Sequence, residues 1–82
     1  MSHDEILSGL GEIVHEITGI PVDRVRPGVT FVDDLDIDSL SMVEIATAAE
    51  DRFGVRIPDE AIGELKTVAD AVAYIDRAGV PA

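Results

Sequence analysis

The sequence contains no cysteine, so neither a disulfide nor a thiolate metal site is available, and nothing marks an oxidising compartment. Basic residues are scarce as well. Six Lys and Arg stand against seventeen Asp and Glu, for a net charge of −11. Such a surface repels nucleic acid and anionic membrane and suits a basic partner. No apolar run approaches about 18 residues, and no basic segment leads into a long apolar stretch at the N-terminus. The expectation is a soluble, cytoplasmic chain with no membrane insertion.

What is present is enough for one folded unit. Eighty-two residues predict a single domain spanning 1–82, read as a monomer. A chain of this length buries only roughly 60% of its unfolded surface, so its packing has to be efficient. With 46% hydrophobic residues it is too apolar to be an acidic disordered tail.

The apolar spacing is helical throughout. Ser2 and Glu5 form a capping box, followed by Ile6, Leu7, Leu10, Ile13, Val14 and Ile17 on one face. Gly19 and Pro21 end this first helix. A long loop follows from position 20 to 37, with Val25, Val29, Phe31 and Leu35 as isolated apolar anchors. Asp38 caps a second helix that runs to about Phe53 and stops at Gly54. Pro58 and Asp59 open a short helix through about Glu64. Thr67 and Asp70 cap a last one, with Val68, Val72 and Ile75 inward, which closes ahead of Gly79 and Pro81. No stretch alternates with period two for long enough to make a sheet. The fold class is therefore all-α, a four-helix bundle of three longer helices and one short one.

The stretch DDLDIDSLS, from position 33 to 41, admits two chemistries. A calcium loop starting at Asp34 would place Asp36 and Asp38 correctly. It would then need glycine where Ser39 stands and a bidentate Glu where Ile45 stands. Glu44 is one residue out of register, and Pro27 and Gly28 replace the entering helix. The loop fails as a metal site, leaving only weak, non-specific cation binding on clustered carboxylates. The serine fits better. With Asp38 as cap, Ser39 is the first helical residue, where free backbone N–H groups and the helix dipole favour an attached anion. Ser39 and Ser41 as plain first-turn polar residues is the bland alternative. Catalysis by Ser39 is not expected, because there is no GxSxG elbow and both His3 and His15 read as solvated side chains. No catalytic residue and no dedicated metal ligand is assigned.

The second helix carries an unusual outer face. Met42, Ile45, Ala46, Ala49 and Phe53 make its core side. At about 100° per residue, Leu40 projects almost opposite, beside Glu44, Thr47 and Asp51, while Val43 and Glu50 fall near the azimuth of Ser39. Apolar residues set among carboxylates, next to a candidate modification site, describe a docking surface.

Asp38-Ser39-Leu40 at a helix start, inside an acidic four-helix chain, resembles the acyl carrier proteins. The resemblance spans nearly the whole length: DEIL, EITGIP, FVDDLDIDSLSMVEI, FGVRIPDE and LKTVADAVAYI. The LSMVEI and IPDE segments are most similar to carriers of actinobacterial type II fatty acid synthases, including the mycobacterial meromycolate carrier, whose extended C-terminal tail is absent here. The resemblance implies 4′-phosphopantetheine on Ser39, installed from coenzyme A by a separate phosphopantetheinyl transferase, with the acyl chain held on the arm's thiol. It also implies partners with basic docking patches: ketosynthase, reductase, dehydratase and acyltransferase enzymes. The carrier itself would not be an enzyme. A discrete polyketide-pathway carrier would share Ser39 and its arm. From another class, the alternative is an acidic calcium-binding or protein-interaction module with Ser39 unmodified.

One departure stands out. Ala46 and Ala49 occupy core places where many bacterial carriers have larger aliphatics. Either they leave room for a long acyl chain, or neighbours such as Phe31 and Ile62 fill the space.

Overall fold

The computed structural model describes residues 2–78. Helix α1 is His3–Thr18. Its capping box forms as the spacing predicts: the Glu5 N–H donates to Ser2 Oγ at 3.2 Å, and the Ser2 N–H donates to the Glu5 carboxylate at 3.4 Å. Gly19, at φ 80°, closes the helix in the left-handed conformation and donates its N–H to the His15 carbonyl at 2.8 Å. Ile6, Leu10, Ile13 and Val14 are buried.

Helix α2 is Ser39–Phe53, α3 is Asp59–Ile62 and α4 is Val68–Ala78. Among the described residues these are the α-helices, and α1 packs on both α2 and α4 while α3 leans on α2. No strand pair forms among them beyond one isolated bridge between Thr30 and Thr67. The all-α bundle expected from the periodicity is what folds. Phe31, Ile6, Leu10, Ile75, Val14 and Val68 are its most deeply buried large side chains. Gly9 lets α2 approach closely, since a Cβ there would stand 2.6 Å from Phe53 Cζ. Phe53, placed on the core face by the sequence, is half-buried against this glycine rather than enclosed.

Three details differ from the expectation. The long loop contains a short 3-10 helix, Val22–Arg24, entered from Pro21 at φ −57°. Three residues are too few to leave a periodic signature. Helix α3 stops at Ile62 rather than near Glu64. There Glu64 N–H and Leu65 N–H turn back to the carbonyls of Ala61 and Ile62, and this tight turn drops Leu65 into the core. Glu50 also departs from its expected position, as described below. The predicted close of α4 at Gly79 and Pro81 lies outside the described residues.

Candidate functional site at the start of helix α2

The loop leading to α2 is held from both ends. Thr30 and Asp34 bond reciprocally: Thr30 N–H donates to the Asp34 carboxylate at 2.8 Å, and Asp34 N–H donates to Thr30 Oγ1 at 2.9 Å. Leu35 N–H donates to the Thr30 carbonyl and Ile37 N–H to the Phe31 carbonyl. Asp36 sits between them at φ 54°, the one non-glycine residue with positive φ among those described. These bonds turn Phe31, Leu35 and Ile37 into the core and leave Asp33, Asp34, Asp36 and Asp38 outside. The four carboxylates do not converge on a common point, and no cluster able to hold a metal ion forms among the described residues. A second set of bonds ties the loop to the start of α4. Phe31 N–H donates to the Lys66 carbonyl, Val68 N–H to that of Val29 and Ala69 N–H to that of Pro27.

Asp38 then caps α2. It is extended at φ −80° and ψ 170°, and its carboxylate accepts the Ser41 N–H at 2.8 Å. That backbone N–H, with a smaller contribution from the Ser41 hydroxyl, holds the Asp38 carboxyl below the ordinary Asp range. Ser39 is the first residue of α2 and its side chain is exposed, whereas Ser41 is half-buried. Neither histidine is engaged with Ser39. His3 meets Asp76 at 3.2 Å across α1 and α4, and His15 Nδ1–H donates to the Ile20 carbonyl.

Along α2, Leu40 is 70% exposed and Val43 44% exposed, with Glu44, Thr47 and Asp51 exposed beside them. The Thr47 hydroxyl is already used, donating to the Val43 carbonyl. Glu50 does not project freely as its azimuth suggested. It is half-buried, and its carboxylate accepts the Ile57 N–H at 2.7 Å. The chain reverses after Gly54, at φ 67°, and brings Ile57 back beside α2, so Glu50 fastens the turn.

An open groove of about 560 Å³ adjoins Ser39. Ser39, Met42 and Val43 line one side, Thr30, Val32 and Asp33 another, and Asp59, Ile62, Gly63, Leu65 and Lys66 the rest. Met42, Ile62 and Leu65 also border a second, internal space between α2 and α4, whose volume is only about 10 Å³. Ala46 and Ala49 lie along that space together with Phe31 and Ile62, and the neighbours have closed over the two small residues. Val32, 58% exposed, and Lys66 escaped the sequence reading as parts of this site. Neither lies on a periodic segment, and both reach the groove only through the hydrogen bonds between the loop and the start of α4.

The sequence matches the model of the family described as "Phosphopantetheine attachment site" over residues 8–75. It is 58% identical to the acyl carrier protein of Acidothermus cellulolyticus over 82 residues, covering 100% of this chain and 98% of that one. It is 59% identical to the meromycolate extension acyl carrier protein of Mycolicibacterium aurum over 76 residues, 93% of this chain and 78% of that one. The fold is similar to a solved structure of the acyl carrier protein from Enterococcus faecalis, with a TM-score of 0.78, 35% identity, and coverage of 95% of this chain and 99% of that chain. With an exposed serine opening α2 beside an apolar groove, and with these relatives, the chain belongs to the acyl carrier protein family, whose members carry covalently attached 4′-phosphopantetheine.

Proposed function

We propose that Ser39 is the residue that takes the 4′-phosphopantetheine and that the protein carries growing fatty acyl chains among the enzymes of fatty acid synthesis in the cytoplasm. The observation that supports this is the exposed Ser39 hydroxyl at the first position of α2, opening on the groove. The first turn of a helix presents unpaired N–H groups and the positive end of its dipole, which suit a phosphodiester. Ser41, two residues on, is half-buried and its N–H already serves the cap.

Attachment forms a bond between Ser39 Oγ and the phosphorus of coenzyme A that carries the pantetheine. The phosphoanhydride bond breaks, the adenosine bisphosphate half leaves, and the hydroxyl proton passes to a base on a separate Mg²⁺-dependent phosphopantetheinyl transferase. Once bound, the group supplies a terminal thiol that holds the acyl chain as a thioester, chemistry that a chain without cysteine does not itself contain. The residues here position and present. Asp38 fixes the first turn, and Leu40, Val43, Glu44, Thr47 and Asp51 form the face offered to transferase, ketosynthase, reductase, dehydratase and acyltransferase partners with basic patches. Condensation, reduction and dehydration are the work of those partners, and the carrier acts as a monomer without catalytic groups of its own.

Intact mass after incubation with coenzyme A and a phosphopantetheinyl transferase tests the assignment. The wild-type protein and Ser41→Ala should each gain one phosphopantetheine, and Ser39→Ala none. Labelling that persists in Ser39→Ala would overturn it.

A further inference from the structure

Lys66 is the only lysine in the chain, and it lines the same groove as Ser39. Its backbone is fixed, because its carbonyl accepts the Phe31 N–H at 3.0 Å and the Val68 N–H two residues on is bonded to Val29 at 2.9 Å. Its side chain is exposed and forms no ion pair among the described residues. The other charged groups lining the groove are Asp33 and Asp59, with Glu64 close by in the chain. The remaining cations are engaged elsewhere or stand outside the groove. Arg24 and Arg26 donate to the carbonyls of Asp34 and Asp23, Arg52 pairs with Glu12, and neither Arg56 nor Arg77 lines it.

We infer that Lys66 pairs with the phosphodiester of the arm carried on Ser39 and so draws the arm down across the groove between α2 and α3. The inference rests on the assignment of Ser39 made above. A phosphodiester on Ser39 adds one negative charge to a space already facing two carboxylates, and among the described residues Lys66 is the one cationic side chain lining that space to offset it. An ammonium on a flexible four-carbon stem can follow a point charge without demanding the planar geometry of a guanidinium. With the root of the arm held there, the rest meets the apolar lining of Met42, Ile62 and Leu65, which borders the interior. Without Lys66, no cationic side chain among the described lining residues offsets Asp33 and Asp59, and their repulsion turns the arm toward solvent even though the first turn of α2 still faces the phosphate.

Because there is one lysine, ¹⁵N-lysine labelling yields a single side-chain Nζ resonance. It is recorded on the apo and modified forms of the full chain, with modification measured by intact mass. The expected result is a displaced Nζ signal on modification, a displacement that shrinks as added salt screens the pair. The ³¹P resonance of the modified protein should shift in Lys66→Gln and stay near its wild-type position in Lys66→Arg, with circular dichroism and melting confirming that both variants fold. A full mass gain with an unmoved Nζ signal, or equal ³¹P shifts in wild type and Lys66→Gln, overturns the pairing while leaving the attachment intact. A mass gain that is absent, or that survives Ser39→Ala, overturns the attachment reading and the pairing with it.

Discussion

Helices α4 and α2 begin differently. The start of α4 is closed, with Thr67 and Asp70 exchanging hydrogen bonds at 3.0 and 3.1 Å and an acid in the first turn. Helix α1 is closed in the same way by Ser2 and Glu5, with Asp4 and Glu5 facing its dipole. Helix α2 has the single bond from Ser41 N–H to Asp38 and no acid in its first turn, in a chain with seventeen acids. Closed ends satisfy their own N–H groups and dipole, whereas the start of α2 is left able to accept a negative charge from outside.

The largest test of this contrast removes the two caps. Asp38→Ala should slow phosphopantetheine incorporation by more than about tenfold, equivalent to more than about 1.4 kcal/mol, because the turn that presents Ser39 loses its anchor. Thr67→Ala should cost about 1 kcal/mol of stability and leave incorporation unchanged. Equal incorporation in both variants would make the start of α2 just another cap.

Next, Glu50→Ala leaves the half-buried Ile57 N–H without its partner and should cost roughly 1–2 kcal/mol in a denaturant titration. Glu44→Lys, on the exposed face, should stay within about 0.5 kcal/mol of wild type. It should still slow association with a basic partner, most clearly at low salt. If Glu44→Lys is elongated at normal rates, that face of α2 is not where partners dock.

A smaller effect comes from closing the open end. Ser41→Glu creates the reciprocal box that α1 already has, so melting should rise by a few degrees while incorporation slows several-fold through repulsion of the incoming phosphate. The least effect is with pH. The Ser41 and Thr67 backbone N–H groups lower the carboxyl pKa of Asp38 and Asp70 respectively. Groups with depressed folded pKa contribute fully above the unfolded Asp value, near about 4, and lose that contribution as pH falls through the folded values. Melting temperature should therefore decline on acidification below about pH 4, less steeply in Asp70→Asn.

The sequence made legible what is local. Caps, terminating glycines and apolar stripes gave α1, α2 and α4 and put Ser39 at a helix start, because each depends on residues within one or two turns. The helix wheel also placed Leu40 and Val43 outside, and both are exposed. It misjudged Glu50, whose partner Ile57 arrives only after the chain reverses at Gly54. The groove was illegible for the same reason. Val32 and Lys66 both line it because the loop and the start of α4 are bonded across a long stretch of sequence, as between Phe31 N–H and the Lys66 carbonyl, and no window of a dozen residues contains that link. The question raised by Ala46 and Ala49 needed a volume, and the space they border, lined also by Phe31 and Ile62, is only about 10 Å³.

Those same bonds between the loop and the start of α4 carry a consequence for synthesis. Ser39 leaves the ribosome before the segment from 66 to 69 that braces its loop, so the emerging serine precedes half of its own surroundings. Nascent chains stalled before position 66 has emerged should take up little phosphopantetheine, and chains stalled well beyond it should take it up normally. On the Ser39 assignment proposed above, that result would show that loading waits for the segment from 66 to 69 to brace the loop ahead of α2.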